Sequence, residues 1–389
     1  MADVHGVELL EFVTEHAAAG QRHLSQCTKQ LVSVSQSQIA ELLDYSNDDA
    51  FLEPTLFAYF SRKHPHVTLE QVLFGYLPDP SLLPSFEAFT DSQGLVYLPR
   101  LGHLATSERN AVVTIESDTL TVRVRDLTRV RSTEIELCLE DDPLLGKFFE
   151  DEDGRRIDHE LKGSSHITAL NTAFDVLRDI SPTLSNALTA VTRRIVVFSA
   201  ADFESFATVS AHGTAFFEVP PTRKATEVFF IEDMAHQCGH VLFNAATVNR
   251  ELFLEIDPAT PLRQFTDIAD EQRDIYTAFH GVFTEAMMCV ALSACLEANV
   301  FGNVCEDDKQ FELLGRLSFV AKRFQLDLLS LHHAGIFTPL GESIIHQFGK
   351  IFDDIYARCK DRITQFDHSN QLYTFSLERF LDANVATRL

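Results

Sequence analysis

Tryptophan is absent from the 389 residues, and the seven cysteines (27, 138, 238, 289, 295, 305 and 359) form no CxxC pair and keep no regular spacing. Thiolate zinc sites need closely spaced cysteines, and disulfide scaffolds normally use an even, patterned set. Reduced, mostly buried thiols are therefore expected, as in an intracellular protein. Basic charge is scarce too: 32 Lys and Arg stand against 57 Asp and Glu, for a formal charge of −25. A nucleic-acid binder normally carries a basic stripe. The most basic run here, RVRDLTRVR (123–131), alternates like one solvated strand face. The acidic excess suits solubility or a basic peptide partner. No stretch reads as the long uncharged apolar run of a membrane helix. The opening MADVHGVELLEF carries acids where a signal peptide carries Lys or Arg, so a cytoplasmic protein is expected. GxGxxG, Walker A and GxSxG patterns are all missing, which argues against a nucleotide site or a hydrolase elbow.

What is present is an ordinary globular composition, 45% apolar and 23% charged, with 32 phenylalanines to fill a core. The length calls for two domains or one elaborated domain. Residues 1–76 carry apolar side chains at three- and four-residue spacing, the helical period. Pro78, Pro80 and Pro84 break it, so a boundary is placed near residue 90. Segments between 94 and 140 (GLVYLPRLGHL, NAVVTIES, TLTVRVRDL, TEIELCLE) alternate apolar with polar and predict a small antiparallel sheet. An acidic loop follows at 150–165, then a helical stretch at 166–193. RRIVVFSA (193–200) and GTAFFEV (213–219) read as two further strands, and the chain from 226 onward reads as mainly helical. The fold class is α+β. The expected division is an N-terminal helical region, 1–90, and an α+β catalytic domain, 91–389, with a metal site within 227–283.

Within EVFFIEDMAHQCGHVLFNAA (227–246), an apolar stripe runs through Val228, Ile231, Ala235, Cys238, Leu242 and Ala245. His236 and His240 stand four residues apart and project from one helix face, the geometry that lets two imidazoles share a metal. With 16 histidines in the chain, about one such pair arises by chance, so a structural pair reads as well as a ligand pair. The next helical stretch, 271–298, carries His280 inside an apolar face, which offers a third ligand. Arg273 lies seven residues earlier, nearly two turns away on almost the same face. It reads equally as an anchor for a ligand carboxylate or as a surface ion pair. Asn244 and Glu232, each four residues from a histidine of the pair, are candidates to orient the imidazoles. Asp233 reads as a first-turn acid suited to the helix dipole. His212, before Gly213, is open between structure and function, and His332 with His333 is left outside the site.

These segments resemble the HExxH-motif peptide-modification family of ribosomal-peptide gene clusters, described as iron- and 2-oxoglutarate-dependent peptide β-hydroxylases. SFATVSAHGTAFFEVP (205–220) is similar to the strand preceding that family's metal helix, and HQCGH (236–240) stands where the family has HExxH. RDIYTAFHGVF (273–283) resembles its Arg…His-Gly-Val segment, and HHAGIFTPLGESII (332–345) its closing Thr-Pro-x-Gly element. The likeness covers about 135–360. It implies a zincin-like metal helix with Fe(II) on His236, His240 and His280, and 2-oxoglutarate anchored by Arg273. It also implies O2 as co-substrate, and hydroxylation of a side-chain carbon in a peptide or amino-acid-derived substrate. The strand at 213–219 is expected to pair with an extended peptide. One position departs: Gln237 replaces the glutamate. A glutamine amide cannot act as a general base, which removes the water-activating group of a zinc peptidase. It also motivates a second reading, a non-catalytic metal- or peptide-binding relative.

Overall fold

The computed structural model describes residues 6–62, 64–120, 124–150, 154–201, 203–220, 225–266, 268, 270–302 and 308–385. Cys305, residue 123 of the basic run and residues 151–153 of the acidic loop lie outside them. The fold mixes helix and strand, with helices dominating the C-terminal half. In chain order the helices are α1 (Val7–Ser33), α2 (Pro54–Arg62), α3 (Leu69–Leu73), α4 (Gly163–Ile180), α5 (Pro182–Val191) and α6 (Glu227–Asp233). They continue with α7 (Gly239–Ala246), α8 (Ile275–Glu297), α9 (Asp308–Ser330), α10 (Pro339–Ile363) and α11 (Leu377–Ala383). The strands are β1 (Ser85–Phe89), β2 (Leu95–Leu98), β3 (Gly102–Ala105), β4 (Val112–Glu116) and β5 (Val124–Arg125). After them come β6 (Glu136–Cys138), β7 (His159–Leu161), β8 (Arg194–Ala200), β9 (Phe206–Ala207) and β10 (Thr214–Glu218).

Contacts gather the chain into two compact units that interleave along the sequence. One comprises 1–17, 168–190 and 225–389, and the other 18–167 and 191–224. The boundary expected near residue 90 falls inside the second of these.

The strand-bearing unit holds three small sheets. β1–β4 and β2–β3–β5 are antiparallel, as the alternating segments predict. The third differs from the expectation. β8 lies between β6 and β10 and runs parallel to both, while β7 and β9 add antiparallel pairs. Parallel neighbours need a long connection, and the chain between β6 and β8 supplies one. β8 itself is buried along all but its last residue, as suits a central strand. β10 also has both edges taken, by β8 and by β9, and the Glu218 amide donates to Ser205 Oγ at 2.8 Å. The strand at 213–219 therefore offers no edge along Ala215 and Phe216 to an added peptide. Gly213 precedes it with φ +91°, and its carbonyl accepts the amides of Arg193 and Arg194. A Cβ there would come 3.1 Å from Pro54 in a conformation L-residues avoid.

Arg194 opens β8 with its side chain 2% exposed. Its guanidinium meets Glu53 at 3.1 Å, Glu136 at 3.2 Å and Asp142 at 3.4 Å, and donates to the Tyr97 hydroxyl. Buried charges persist only when paired and hydrogen-bonded. Thr55 and Tyr76 supply further bonds to Glu53.

The helical unit is built on α8, whose residues are buried almost throughout. It packs against α9, α10 and the segment from α6 to α7. By length and composition α8 is apolar enough to cross a membrane, contrary to the reading above, yet 89% of its apolar window is buried inside the fold. It is the core helix of this unit, packed by α6, α7, α9 and α10. The Thr-Pro-x-Gly element has a local physical role. Thr338 caps α10 by accepting the Gly341 amide, Pro339 occupies the first turn, and the Thr338 hydroxyl donates to the Leu252 carbonyl. A Cβ on Gly341 would lie 2.1 Å from the Phe253 carbonyl oxygen, so a glycine lets α10 close on the segment after α7.

Candidate metal centre

Thr226 caps α6 through the Phe229 amide. That places Glu232 and Asp233 beyond the first turn, so neither serves the helix dipole in the way expected for Asp233. Between α6 and α7, Met234–Cys238 forms one π-helical turn. Such turns insert a residue into the helix and frequently mark functional sites. His236 lies within the turn and His240 just after it, their ring centroids 4.8 Å apart.

α8 brings His280 to the same place. Phe243, three residues after His240, stacks on Phe283 at 4.5 Å and meets Phe279 edge-on at 5.0 Å, which sets α7 against α8. His240 Nδ1 and His280 Nε2 are then 3.0 Å apart, their rings perpendicular at 4.4 Å. The three histidines thus form a row, His236–His240–His280, assembled from two helices.

Burial pushes the His240 imidazole down to about 4. Burial, and then positive charge on His240 and Arg323, holds His236 well below the usual histidine range. His280 is held well below it as well, by burial and then by His240. These shifts favour the neutral imidazole, the form that ligates metal. His236 nonetheless keeps 34% of its side chain open.

A set of three imidazoles suits a divalent ion. His240 Nδ1 and His280 Nε2 are hydrogen-bonded to each other at 3.0 Å, so a metal would take the place of the proton between them. The third does not join them as it stands: among the described residues, no three His, Cys, Asp or Glu side chains are grouped to hold a metal. Gln237 is fully buried, and its Nε2 donates to His236 Nδ1 at 3.0 Å and to Asp233 Oδ1 at 3.5 Å.

The other expected side chains take different partners. Glu232 is paired with Arg316, which also donates to Glu312 at 2.8 Å, so it orients no histidine. Asn244 accepts from the Tyr276 hydroxyl at 3.5 Å rather than contacting His240. Arg273 is held by two acids: Glu271 accepts from Nε and Nη2 at 3.0 and 2.7 Å, and Asp327 from Nη1 and Nη2 at 2.5 and 3.0 Å. A ligand carboxylate would have to displace one of them. His212 is buried in the other unit, its ring edge-on to Phe57, and burial lowers it to about 4.

Sequence reasoning passed over two side chains beside the row. Tyr276 lies one turn before His280, 5.6 Å between rings, and its hydroxyl is 2.8 Å from that of Thr247. Its i, i+4 relation to His280 was a usable signal. Arg250 lies over the Tyr276 ring at 3.7 Å, is exposed, and lowers His280 through its charge. Nothing local in the sequence marks it, because the contact spans the loop between α7 and α8. No protein-family model matches the chain, and no curated protein matches it.

Proposed function

We propose that this protein is a non-haem iron oxygenase that uses Fe(II), O2 and 2-oxoglutarate to hydroxylate an unactivated carbon, the β-carbon of a side chain, in a ribosomally made peptide or a related amino-acid substrate. The observation that carries the reading is the neutral histidine row, in which His240 and His280 approach to 3.0 Å with His236 beside them. The order of the four motifs between 205 and 345 adds support. Bound at this row, iron with 2-oxoglutarate would supply the O2 activation that an unactivated C–H bond requires. The chain's own part is to hold His236, His240 and His280 unprotonated by burial and to present a cation for the carboxylate of the keto acid. Arg250, open and stacked on Tyr276, suits that task better than the doubly paired Arg273. Gln237 has no basic form in range, so a zinc peptidase remains the poorest reading.

A second reading has its own support: a non-catalytic relative that binds a metal or a peptide. It is favoured by Arg273 being engaged with Glu271 and Asp327, and by the amide that occupies His236. Anaerobic titration separates the two. Apoprotein given ferrous iron and 2-oxoglutarate is expected to develop a weak visible charge-transfer band that needs both additions and disappears in His280→Ala. Absence of a band with both in excess defeats the oxygenase reading and leaves the binding protein.

A further inference from the structure

A histidine ligates through a ring nitrogen that carries no proton, and the partner of the other nitrogen selects the tautomer. A carboxylate or carbonyl beside Nδ1 accepts an Nδ1–H and leaves Nε2 open to metal. An N–H beside Nδ1 does the reverse: it needs the Nδ1 lone pair, so the single proton of the neutral ring moves to Nε2.

At His236 the partner is an N–H donor. Gln237 Nε2 lies 3.0 Å from His236 Nδ1 and 3.5 Å from Asp233 Oδ1. Asp233 decides which way the amide faces. Its carboxylate accepts only, so the amide nitrogen, with two hydrogens, belongs between it and the ring. Gln237 Oε1 is left buried with no hydrogen-bond partner, so the amide is held by its two donor bonds alone. Turned over, the amide would place Oε1 against the Asp233 oxygen and gain a single acceptor bond. The side chain is fully buried in the π-helical turn and has no solvent to compensate either arrangement.

We infer that Gln237 is a positioning residue that holds His236 as its Nε2–H tautomer, so that the site admits His236 only when the amide turns. Replacing the amide by a carboxylate reverses the selection. The inference deepens the metal-centre reading and rests on it for its consequence, though the tautomer itself is a property of the metal-free protein. A change of this kind next to a ligand typically alters metal affinity by about 10–100-fold.

The experiment has two arms. The first is long-range 1H–15N correlation on metal-free protein at pH 7.5, which reports the proton on each ring nitrogen directly. His236 is expected as Nε2–H in the wild type and as Nδ1–H in Gln237→Glu. A wild-type His236 carrying its proton on Nδ1 overturns the inference. The second is titration with Co(II) alone, followed by its d–d absorption. Gln237→Glu is expected to bind about 10–100-fold more tightly than the wild type, and unchanged affinity overturns the link from tautomer to metal. If the added carboxylate beside Asp233 prevents folding, Gln237→Met keeps the volume without the donor. It should release the Nε2–H preference and raise affinity in the same direction, and an unmoved tautomer there overturns the inference. If no variant binds Co(II) while the tautomers behave as stated, the metal-centre reading fails and the positioning role of Gln237 stands.

Discussion

Replacing Arg194 with methionine removes the guanidinium that Glu53, Glu136 and Asp142 share in a site where the arginine is 2% exposed and these carboxylates 5%, 10% and 8%. Methionine keeps much of the volume and the apolar stem, so packing loss is small and the electrostatic effect dominates. Removing one partner from a buried, hydrogen-bonded ion pair costs about 3–5 kcal/mol, because the remaining charge has neither water nor a counter-ion. Asp142 takes up a proton as pH falls through about 6. Burial already lifts Asp142 to about 6, whereas the arginine, with Thr55 and Tyr76, offsets burial and keeps Glu53 below the usual carboxylate range. Without Arg194 the pocket takes up protons, so the loss at pH 7 falls in the stated range and shrinks toward pH 5, where protonation costs less. In a unit of this size 1 kcal/mol moves Tm by roughly 2–4 °C, so the variant should melt about 6–20 °C lower at pH 7. Circular dichroism melts at pH 5 and pH 7, paired with urea titrations, make the measurement. A loss under about 1 kcal/mol at pH 7, or one of equal size at both pH values, refutes the reasoning. Adding Glu53→Gln and Glu136→Gln to Arg194→Met should restore much of the stability, since a neutral pocket no longer strands a charge.

Asp142→Asn tests the same pocket from the acid side. A carboxyl raised from 3.8 to about 6 on folding contributes stability that is complete below its unfolded value and is lost as pH rises through 6. The difference amounts to roughly 3 kcal/mol, so the urea midpoint of the wild type should fall between pH 4 and pH 6 and that of the variant should be flatter; identical slopes contradict the assignment. At the histidine row, Arg273→Ala should lower stability by about 1–3 kcal/mol by stranding Glu271 and Asp327, while Arg250→Ala should leave Tm unchanged and weaken 2-oxoglutarate binding to the iron-loaded protein. Calorimetric titration and thermal melts separate the two arginines, and the opposite assignment would return the carboxylate anchor to Arg273.

Much of this architecture was legible in consecutive residues. The three- and four-residue spacing through Val228, Ile231, Cys238 and Leu242 foretold a helix, and the spacing of His236 and His240 put their rings on one face. The apolar run RIVVFSA announced a strand, and β-branched alternation announced the antiparallel sheets. His280 was offered as a third ligand from its place inside an apolar helical face, and the packing of Phe243 on Phe283 brings it within 3.0 Å of His240. The parallel centre of the third sheet was hidden, because strand direction depends on connections rather than on the strands' own residues. The π-helical turn was hidden as well, since its five residues carry the same apolar spacing an α-turn would.

Helix, strand and the candidate histidines were therefore set by the sequence alone, for a physical reason: periodicity is a relation among neighbours a few residues apart, and backbone geometry converts it directly into a face. Which groups meet across the fold was decided only by the tertiary structure. Arg273 read equally as a free anchor or an ion pair until Asp327, 54 residues away, closed on it. Arg194 gave no sign that Glu53, 141 residues earlier, would share its burial. Gln237 had a meaning in sequence, the loss of a base. Its direction, with donors toward His236 and Asp233 and an acceptor toward nothing, exists only once the turn is folded, because a hydrogen bond is fixed by distance and orientation in space and not by order along the chain.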